Sequence, residues 1–241
     1  MASALAQCNT AETGESLVSR AMQAVNAHIR DAGLRPGQAI PSESAFAVQI
    51  GVSRAVVREA FRSLAAVGVI EIGNGRRARV GGIDDTVLPI ILNHAVLTEQ
   101  VSIQQIYDVR RAIELRTVTL AALRRTPAEA EALLALTARM DQDFDAPEKV
   151  KESDIAFHEA IARASRNPLF AAIVSAFRVI TEKTWHIGWS SRPTDQERHA
   201  NVLCHRRIAE AIARQNAREA EALMAEHFDN SVKALLAAGI T

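Results

Sequence analysis

Apolar residues recur at helical spacing through the first third of the chain and are separated by residues typical of turns. A helix is predicted over residues 17–32, and Gly33 ends it. Ser42 and Ser53 are each suited to begin a further short helix, because a serine side chain can accept a hydrogen bond from a free backbone amide at a helix start. This part of the pattern therefore predicts three helices in succession.

Two apolar runs then flank a glycine-rich turn. Residues 69–72 and 78–80 lie on either side of Gly73-Asn74-Gly75, a combination typical of a two-stranded hairpin. Three helices followed by a hairpin predict a winged helix-turn-helix over residues 16–82, in which the hairpin forms the wing.

Beyond residue 82 the pattern is helical throughout, and most helices begin at a capping box or at a proline. Residues 83–100 are predicted to be a linker and a first helix, and residues 101–241 a helical sensing domain. Its short connections favour antiparallel neighbours. The fold class is therefore mainly α, with an N-terminal winged helix-turn-helix and a C-terminal all-α helical bundle. Helices are predicted over residues 86–96, 102–125, 127–144, 148–165, 169–187, 194–215 and 217–238.

The composition is compatible with this largely helical fold. Hydrophobic residues make up 48% of the chain and aromatic residues only 4%, a balance that favours helices over sheets. No apolar run reaches the roughly 20 residues that span a bilayer, so no membrane partner is expected. Residues 1–15 are small and polar and are predicted to be a disordered leader rather than a signal peptide. Cys8 and Cys204 form no disulfide framework, which favours the reducing cytoplasm.

The formal net charge is zero, but the charges are unevenly placed. Residues 16–80 contain nine arginines and four acidic residues, whereas all four lysines lie further along the chain. A basic segment joined to a mildly acidic remainder indicates two domains with different partners. Because the basic segment coincides with the predicted winged helix-turn-helix, double-stranded DNA is its expected partner.

One face of the third predicted helix is suited to DNA. Arg54, Arg58 and Arg62 recur every four residues and therefore share a face. An arginine in the major groove can bind guanine or a phosphate, and a wing can reach the backbone or the minor groove. A solvated arginine face is the alternative, but the hairpin and the local charge favour DNA. The candidate DNA-binding residues are Ser53, Arg54, Arg58, Arg62, Asn74, Gly75, Arg76 and Arg77.

Four residues of the predicted bundle form a candidate metal site. Asp154 and His158 are one turn apart on one helix, so they share a face. His205 and His227 lie on consecutive helices, equidistant from the turn at Asn216, so antiparallel packing would place them at the same height. One carboxylate and three imidazoles suit a divalent transition metal, with zinc as first choice and nickel, manganese or iron as alternatives. Structural histidines are the other interpretation, and the spacing alone leaves both open.

Three short motifs follow one another in the predicted winged helix-turn-helix: Pro41-Ser42-Glu43, Gly51-Val52-Ser53-Arg54 and Val57-Arg58-Glu59-Ala60. Their order and spacing resemble the N-terminal domain of GntR-family regulators. The resemblance implies a homodimer that places its second and third helices and its wing on a palindromic operator, with Arg54 and Arg58 at bases or phosphates. The sequence departs from the family at Ser44, where an arginine is usual, so the operator cannot be inferred from relatives.

The segment Val109-Arg110-Arg111-Ala112-Ile113-Glu114, together with the helix that carries Asp154 and His158, resembles the helical ligand-binding domain of the FadR branch of that family. The resemblance covers residues 104–236 and implies that a metal is bound by Asp154, His158, His205 and His227. A small organic-acid effector would bind beside it, with Arg110 facing the carboxylate. Arg110 also lies one turn before Glu114, so a structural ion pair is its alternative role. Asn201, one turn before His205, is a second candidate for effector binding.

The predicted function is a ligand-responsive bacterial transcription regulator, in which a small acid relieves repression of a catabolic operon. A metal-dependent enzyme acting on a small hydroxy or sugar acid is the alternative. The sequence has no catalytic Ser/His/Asp order, phosphate-binding loop or HExxH motif, so no catalytic residue is predicted. Trp185, His186 and Trp189 are assigned to core packing or to an interface.

Overall fold

The computed structural model describes residues 16–73, 76–83 and 86–240, which form eleven α-helices and one two-stranded sheet. The chain divides into two compact units between Gly82 and Ile83. The predicted leader over residues 1–15 lies outside the described residues, as do Asn74 and Gly75 of the predicted wing. The helices and the short sheet match the predicted fold class, which is thereby confirmed.

The first unit contains three helices and a hairpin. Its elements are α1 (Leu17–Asp31), α2 (Glu43–Ile50), α3 (Arg54–Ala66), β1 (Ile70–Glu71) and β2 (Arg79–Val80). The two strands are antiparallel, with Ile70 opposite Val80.

Capping and turn residues determine where these helices start and stop. The side chains of Ser16, Ser42 and Ser53 each accept a hydrogen bond from the backbone three residues later, at the starts of α1, α2 and α3. Gly51 ends α2 with a φ of 68°, a left-handed conformation that glycine adopts without strain. The chain then turns directly into α3, which produces the helix-turn-helix.

The core of the first unit lies between its three helices and the hairpin. Phe46 of α2 packs edge to face on Phe61 of α3, with ring centroids 5.8 Å apart. Val25 of α1 and Ile70 of β1 are also fully buried in this cluster. The buried side of α3 therefore faces its own unit and leaves its opposite side to solvent.

The second unit is a bundle of eight helices among the described residues. They are α4 (Val87–Leu97), α5 (Ile103–Arg124), α6 (Pro127–Gln142), α7 (Pro147–Ala164), α8 (Pro168–Ala176), α9 (Arg178–Ser190), α10 (Asp195–Ala213) and α11 (Ala217–Ala237). The predicted capping boxes that open α5, α6 and α10 are each formed with both reciprocal hydrogen bonds. No helix among these residues is long and apolar enough to cross a membrane.

The single helix predicted over residues 169–187 is wrong, because two helices occupy this region. The break lies at Phe177, whose amide donates to the carbonyl of Val174, three residues back, so that the regular ladder is interrupted. Phe177 is buried against Ile106 and Ile180. Tertiary packing at this aromatic side chain accompanies the break, and no glycine or proline in the sequence marks it.

The core of the second unit is formed mainly by α5, α6, α7, α10 and α11. α5 packs against α7, α10 and α11, α6 packs against α7 and α10, and α10 packs against α11. Phe157, Ile208, Met224 and Phe228 are among the residues fully buried there. The predicted metal ligands lie on the inner faces of three of these helices, so the helix packing determines how closely they approach one another.

Candidate functional site

Three buried histidines from three helices meet inside the second unit. They are His158 of α7, His205 of α10 and His227 of α11, and one ring nitrogen of each lies within 4.8 Å of the others. The ring centroids of His205 and His227 are 4.5 Å apart. The antiparallel return of α11 along α10 therefore brings these two histidines together.

Asp154 completes the group of four predicted ligands. Its Oδ1 lies 3.0 Å from Nε2 of His205 and 3.3 Å from Nε2 of His158. Its Oδ2 accepts a hydrogen bond of 2.6 Å from Nε1 of Trp185, a residue of α9. The carboxylate is thus held by three side chains in the middle of the cluster, a contact set in which Trp185 was not anticipated.

Two of the histidines have a second contact that orients the ring. Nδ1 of His158 is hydrogen-bonded to a carboxylate oxygen of Glu114. Nδ1 of His205 lies 2.8 Å from the backbone carbonyl of Asn201 and donates to it. Such contacts hold a histidine with Nε2 directed at a metal ion and are typical of metal sites in proteins.

His227 supplies an independent test of whether a metal fits. Among the described residues, its Nδ1 is the one buried side-chain nitrogen or oxygen atom without a hydrogen-bond partner. A buried polar atom without a partner is unfavourable, and a metal ion would provide one. Three imidazoles and a carboxylate are also a usual donor set for zinc and its neighbours. The residues present therefore fit a divalent transition metal.

The pKa values of Asp154, His158 and His227 are shifted in different directions. Burial opposes ionisation of Asp154, but the charge of His205 and the hydrogen bonds from both histidines outweigh burial and hold its pKa well below the usual value. Burial also disfavours the cation of His158, yet Glu114 and Asp154 raise its pKa to about 9. Burial and the neighbouring histidines hold the pKa of His227 well below its usual value. His227 is therefore in the neutral form that binds a metal ion, whereas His158 must give up a proton to do so.

Glu114 links this cluster to a buried arginine. Its carboxylate lies 3.1 Å from Nε of Arg110, one turn earlier on α5, while its other oxygen contacts His158. Burial alone would raise the pKa of Glu114, but the charges and hydrogen bonds of His158 and Arg110 lower it by more. The net pKa lies below the usual value, so the carboxyl group is ionised. Arg110 also donates to the hydroxyl of Thr181, at 2.8 Å. The ion pair left open as an alternative role for Arg110 is formed, and it reaches a predicted metal ligand.

The cluster borders a cavity of about 50 Å³ inside the bundle. That volume corresponds to a few water-sized groups, at roughly 10 to 15 Å³ each. Arg110 and Asn201, the two predicted effector-binding residues, both line it. The lining residues are Tyr107, Arg110, Asp154, His158, Thr181, Thr184, Trp185, Gly188, Trp189, Arg192, Asn201, His227, Phe228, Ser231 and Leu235.

Several lining residues were missed by reasoning from the sequence. Trp185 and Trp189 were assigned to core packing or an interface; they are buried in the core, and they also stack with centroids 5.0 Å apart and form one wall of the cavity. Arg192 received no role. The helical spacing of the tryptophans was visible, but the helix packing that turns them toward Asp154 was not.

The predicted DNA-binding arginines of α3 lie on its exposed side. Arg54, Arg58 and Arg62 are all exposed, whereas Val57 and Phe61 of the same helix are buried. The predicted DNA-binding residues Arg76 and Arg77 are exposed as well, and Ser53 is exposed and caps α3. The last two members of the set, Asn74 and Gly75, lie outside the described residues.

One contact on this face was not anticipated. Nε of Arg58 lies 3.1 Å from a carboxylate oxygen of Glu43, at the start of α2. The pair is solvated, so it fixes the arginine only weakly. An anion such as a phosphate can therefore compete with Glu43 for Arg58.

Comparison with known families finds two matches that together cover most of the chain. Residues 17–80 match the description "Bacterial regulatory proteins, gntR family". Residues 105–230 match the FCD domain. The first match falls within the helix-turn-helix unit, and the second includes all four residues of the histidine and aspartate cluster.

Individual proteins show the same similarity. The HTH-type transcriptional regulator LutR of Bacillus subtilis (strain 168) is 32% identical over 206 residues, which cover 84% of this chain and 93% of LutR. The HTH-type transcriptional repressor NanR of Escherichia coli (strain K12) is 31% identical over 205 residues, covering 82% of this chain and 76% of NanR. A solved structure, Streptococcus agalactiae GntR, aligns with a TM-score of 0.59 at 22% identity, covering 88% and 97% of the two chains, which supports the fold.

Proposed function

The chain belongs to the GntR family of bacterial regulatory proteins, with an FCD domain as its larger part, and from this membership we propose that it is a metal-dependent, acid-responsive repressor. It is a transcription regulator that binds DNA through its first unit. As proposed, it binds a palindromic operator of a catabolic operon as a homodimer and leaves it when a small organic acid binds in the second unit. One relative, NanR, is named a repressor, which supports repression here.

The observation that carries the proposal is the cluster of Asp154, His158, His205 and His227 beside a cavity lined by arginines. These four residues would hold the metal, with zinc as the proposed ion and nickel, manganese or iron as alternatives. When bound, the ion would supply a Lewis acid with free positions for oxygen ligands. An organic acid combines a negative charge with such oxygens, so it suits both the ion and the arginines.

Other residues of the bundle would hold this arrangement in place. Glu114 accepts a hydrogen bond from Nδ1–H of His158, and the backbone carbonyl of Asn201 accepts one from Nδ1–H of His205. These bonds leave the Nε2 atom of each ring free for the ion. Trp185 fixes the second carboxylate oxygen of Asp154. Together with Asn201, Arg110 lines the cavity, which supports its proposed contact with the effector. Arg110 already forms an ion pair with Glu114. The proposed contact between Arg110 and the effector would be made in addition to this ion pair.

For the first unit, the proposal assigns DNA contacts to the exposed side of α3 and to the wing. The residues are Ser53, Arg54, Arg58, Arg62, Asn74, Gly75, Arg76 and Arg77. Effector binding would change the affinity for DNA only as far as the effector prefers one state of the protein over the other.

Family membership also decides between this function and the alternative. LutR and NanR are named transcription regulators, and the chain matches them over most of its length. The metal-dependent enzyme considered from the sequence is therefore not proposed. The cluster is assigned to sensing rather than to turnover.

The test begins by recovering bound fragments of genomic DNA on the purified protein and sequencing them to obtain the operator. Fluorescence anisotropy of a labelled operator then follows release as metal-loaded protein is mixed with a panel of hydroxy and sugar acids. We expect at least one acid to release wild-type protein, and His205→Ala to keep DNA binding while losing the response. His199→Ala, at an exposed position on the same helix, is the matched control. Equal release of the His205→Ala variant would contradict the proposal.

A further inference from the structure

One acidic side chain lies beside the exposed arginines of α3. Glu43 is the first residue of α2, and it is 15 residues away in sequence from Arg58 of α3. Its Oε2 accepts a hydrogen bond of 3.1 Å from Nε of Arg58. The side chain of Glu43 is the less exposed member of the pair, at 29% against 50% for Arg58. A negative charge therefore lies next to one of the proposed DNA-contacting residues.

The packing of α2 on α3 places this carboxylate at the arginine. One turn beyond each charged residue is a buried phenylalanine, Phe46 on α2 and Phe61 on α3. The two rings pack edge to face, with centroids 5.8 Å apart. The side chain of Ser42 caps the start of α2, and the helix dipole favours a carboxylate in the first turn. The position of Glu43 is therefore determined by the helix-turn-helix itself.

The contact leaves the end of the guanidinium group available. Among the described residues, the hydrogen bond of Arg58 is made through Nε. The two terminal NH2 groups can still donate to O6 and N7 of a guanine in the major groove, because this bidentate contact uses the end of the planar fork. Both acceptors belong to a neutral base, so a nearby carboxylate opposes this contact far less than it opposes contact with an anion.

A DNA phosphate binds the same arginine on different terms. A phosphate at Arg58 brings a negative charge close to the carboxylate of Glu43, and like charges placed together at an interface are unfavourable. A phosphate that displaces the carboxylate instead leaves Glu43 without its counter-charge. Either way, contact with a phosphate is penalised and contact with a base is spared. Phosphates are the same in every sequence, so this penalty weakens non-specific binding selectively.

We propose that Glu43 is a specificity-determining residue, which directs Arg58 toward a guanine of the operator and away from the phosphates. Glu43 acts through Arg58 and not by touching the DNA, so it is a positioning residue. Because the ion pair is solvated, the effect comes from the charge of Glu43 and not from a rigid hold on the arginine. The assignment rests on the proposed DNA contact of Arg58.

A second ion pair on α3 provides a matched control. Nη1 of Arg62 lies 3.9 Å from a carboxylate oxygen of Glu59, and both side chains are more than half exposed. Glu59→Gln removes the same charge from the same unit but leaves the hydrogen bond between Glu43 and Arg58 in place. A difference between Glu43→Gln and Glu59→Gln therefore separates the contact at Arg58 from the general effect of one negative charge fewer near DNA.

The experiment compares operator and non-operator binding by full-length, metal-loaded protein without added acid. Fluorescence anisotropy measures the affinity for the operator recovered from genomic DNA, for operators with single base-pair changes, and for a duplex of the same composition in scrambled order. Titrations of the scrambled duplex at several salt concentrations report the number of phosphates contacted. The variants are Glu43→Gln, Glu59→Gln, Arg58→Ala and the double variant Glu43→Gln, Arg58→Ala, each with its helical content verified by circular dichroism.

We expect Glu43→Gln to bind the scrambled duplex about 5-fold more tightly, because one unfavourable charge contact is removed. Its salt slope should be steeper by about 0.9 for each subunit bound, since Arg58 becomes free to take a phosphate. The affinity ratio of operator to scrambled duplex should fall by about 5- to 10-fold. The lost discrimination should map to the same base pair that Arg58→Ala no longer distinguishes.

The control variants should keep their ratios. Glu59→Gln should change both affinities alike and leave the ratio of the wild type. In the Arg58→Ala background, Glu43→Gln should leave the ratio of Arg58→Ala, because the residue through which Glu43 acts is already lost.

Four outcomes would overturn the inference, and they can be told apart. If Glu43→Gln behaves as Glu59→Gln does, the role of Glu43 is wrong while the contact of Arg58 stands. If Glu43→Gln lowers the ratio further in the Arg58→Ala background, Glu43 contacts the DNA directly and is not a positioning residue. If Arg58→Ala keeps the operator affinity and the ratio of the wild type, the proposed contact of Arg58 is wrong and the role of Glu43 with it. A wild-type protein that binds both duplexes equally well would contradict the proposed function itself.

Discussion

Replacing Glu114 with glutamine perturbs the contact that joins the buried arginine to the candidate metal centre. Glu114 is 1% exposed and its two oxygens contact Arg110 and His158. Glutamine keeps the shape of the side chain but removes the charge, so Arg110 is left buried without a counter-charge. Breaking a buried ion pair in this way lowers the free energy of unfolding by about 3 to 5 kcal/mol. The amide oxygen of glutamine can still accept a hydrogen bond from Arg110, so we expect a loss of about 3 kcal/mol.

The expected loss is therefore about 3 kcal/mol in the free energy of unfolding of the metal-free protein. For a domain of this size that corresponds to a fall in Tm of roughly 6 to 12 °C. Metal affinity should fall by about 10- to 100-fold, because the carboxylate that orients His158 and makes its ring more basic is lost. Urea unfolding of chelator-treated protein measures the first quantity, and competition with a chromophoric chelator the second.

Glu210→Gln is the matched control for Glu114→Gln. Glu210 forms an exposed ion pair with Arg206 one turn away on α10, so its removal should cost at most about 0.5 kcal/mol and leave metal affinity unchanged. A Glu114→Gln variant that binds metal as tightly as the wild type would refute the positioning role of Glu114. A variant as stable as the wild type would refute the buried ion pair.

Three further predictions concern pH, the metal centre and DNA. In chelator-treated protein, the pKa of His158 is about 9, above its unfolded value near 6.5. Its contribution to the free energy of unfolding is therefore full below pH 6.5 and is lost as the pH rises to 9. Urea unfolding across this range should show the free energy of unfolding decline, and a flat profile would contradict the prediction. Trp185→Phe should weaken metal binding about 10-fold in a chelator competition, because Asp154 loses a hydrogen bond, whereas Trp189→Phe should bind as the wild type does. Arg58→Ala should weaken operator binding at least about 10-fold by anisotropy while an acid still raises the Tm of the metal-loaded variant, and unchanged operator binding would exclude Arg58 from the interface.

The histidine cluster shows how far spacing alone can reach. Asp154 and His158 were paired from their helical interval, and His205 and His227 from their equal distances to Asn216. The structure brings His205 and His227 together because Asn216 caps α11 and α11 returns along α10, as the short turn predicts. Asp154 and His158 join them from α7, which packs against α5 and α6. Local rules suffice when two elements are adjacent in sequence and one connection determines their packing.

Contacts between distant segments could not be predicted in this way. Glu114 and His158 are 44 residues apart, and Trp185 and Asp154 are 31 apart, so their meeting depends on how α5 and α9 pack against α7. The break at Phe177 has the same origin, since it accompanies burial of an aromatic ring and has no glycine or proline beside it. The residues that support the cluster therefore could not be predicted from the sequence, whereas the members of the cluster could.

The metal content of the purified protein is the most direct test of the candidate centre. Wild-type protein, expressed without added metal and desalted, is measured by inductively coupled plasma mass spectrometry beside a His205→Ala, His227→Ala double variant of verified helical content. We predict about one divalent transition-metal ion per wild-type chain and almost none in the variant. A wild-type protein without metal that also fails to take up zinc, or a variant that retains the same content, would contradict a metal centre at these residues.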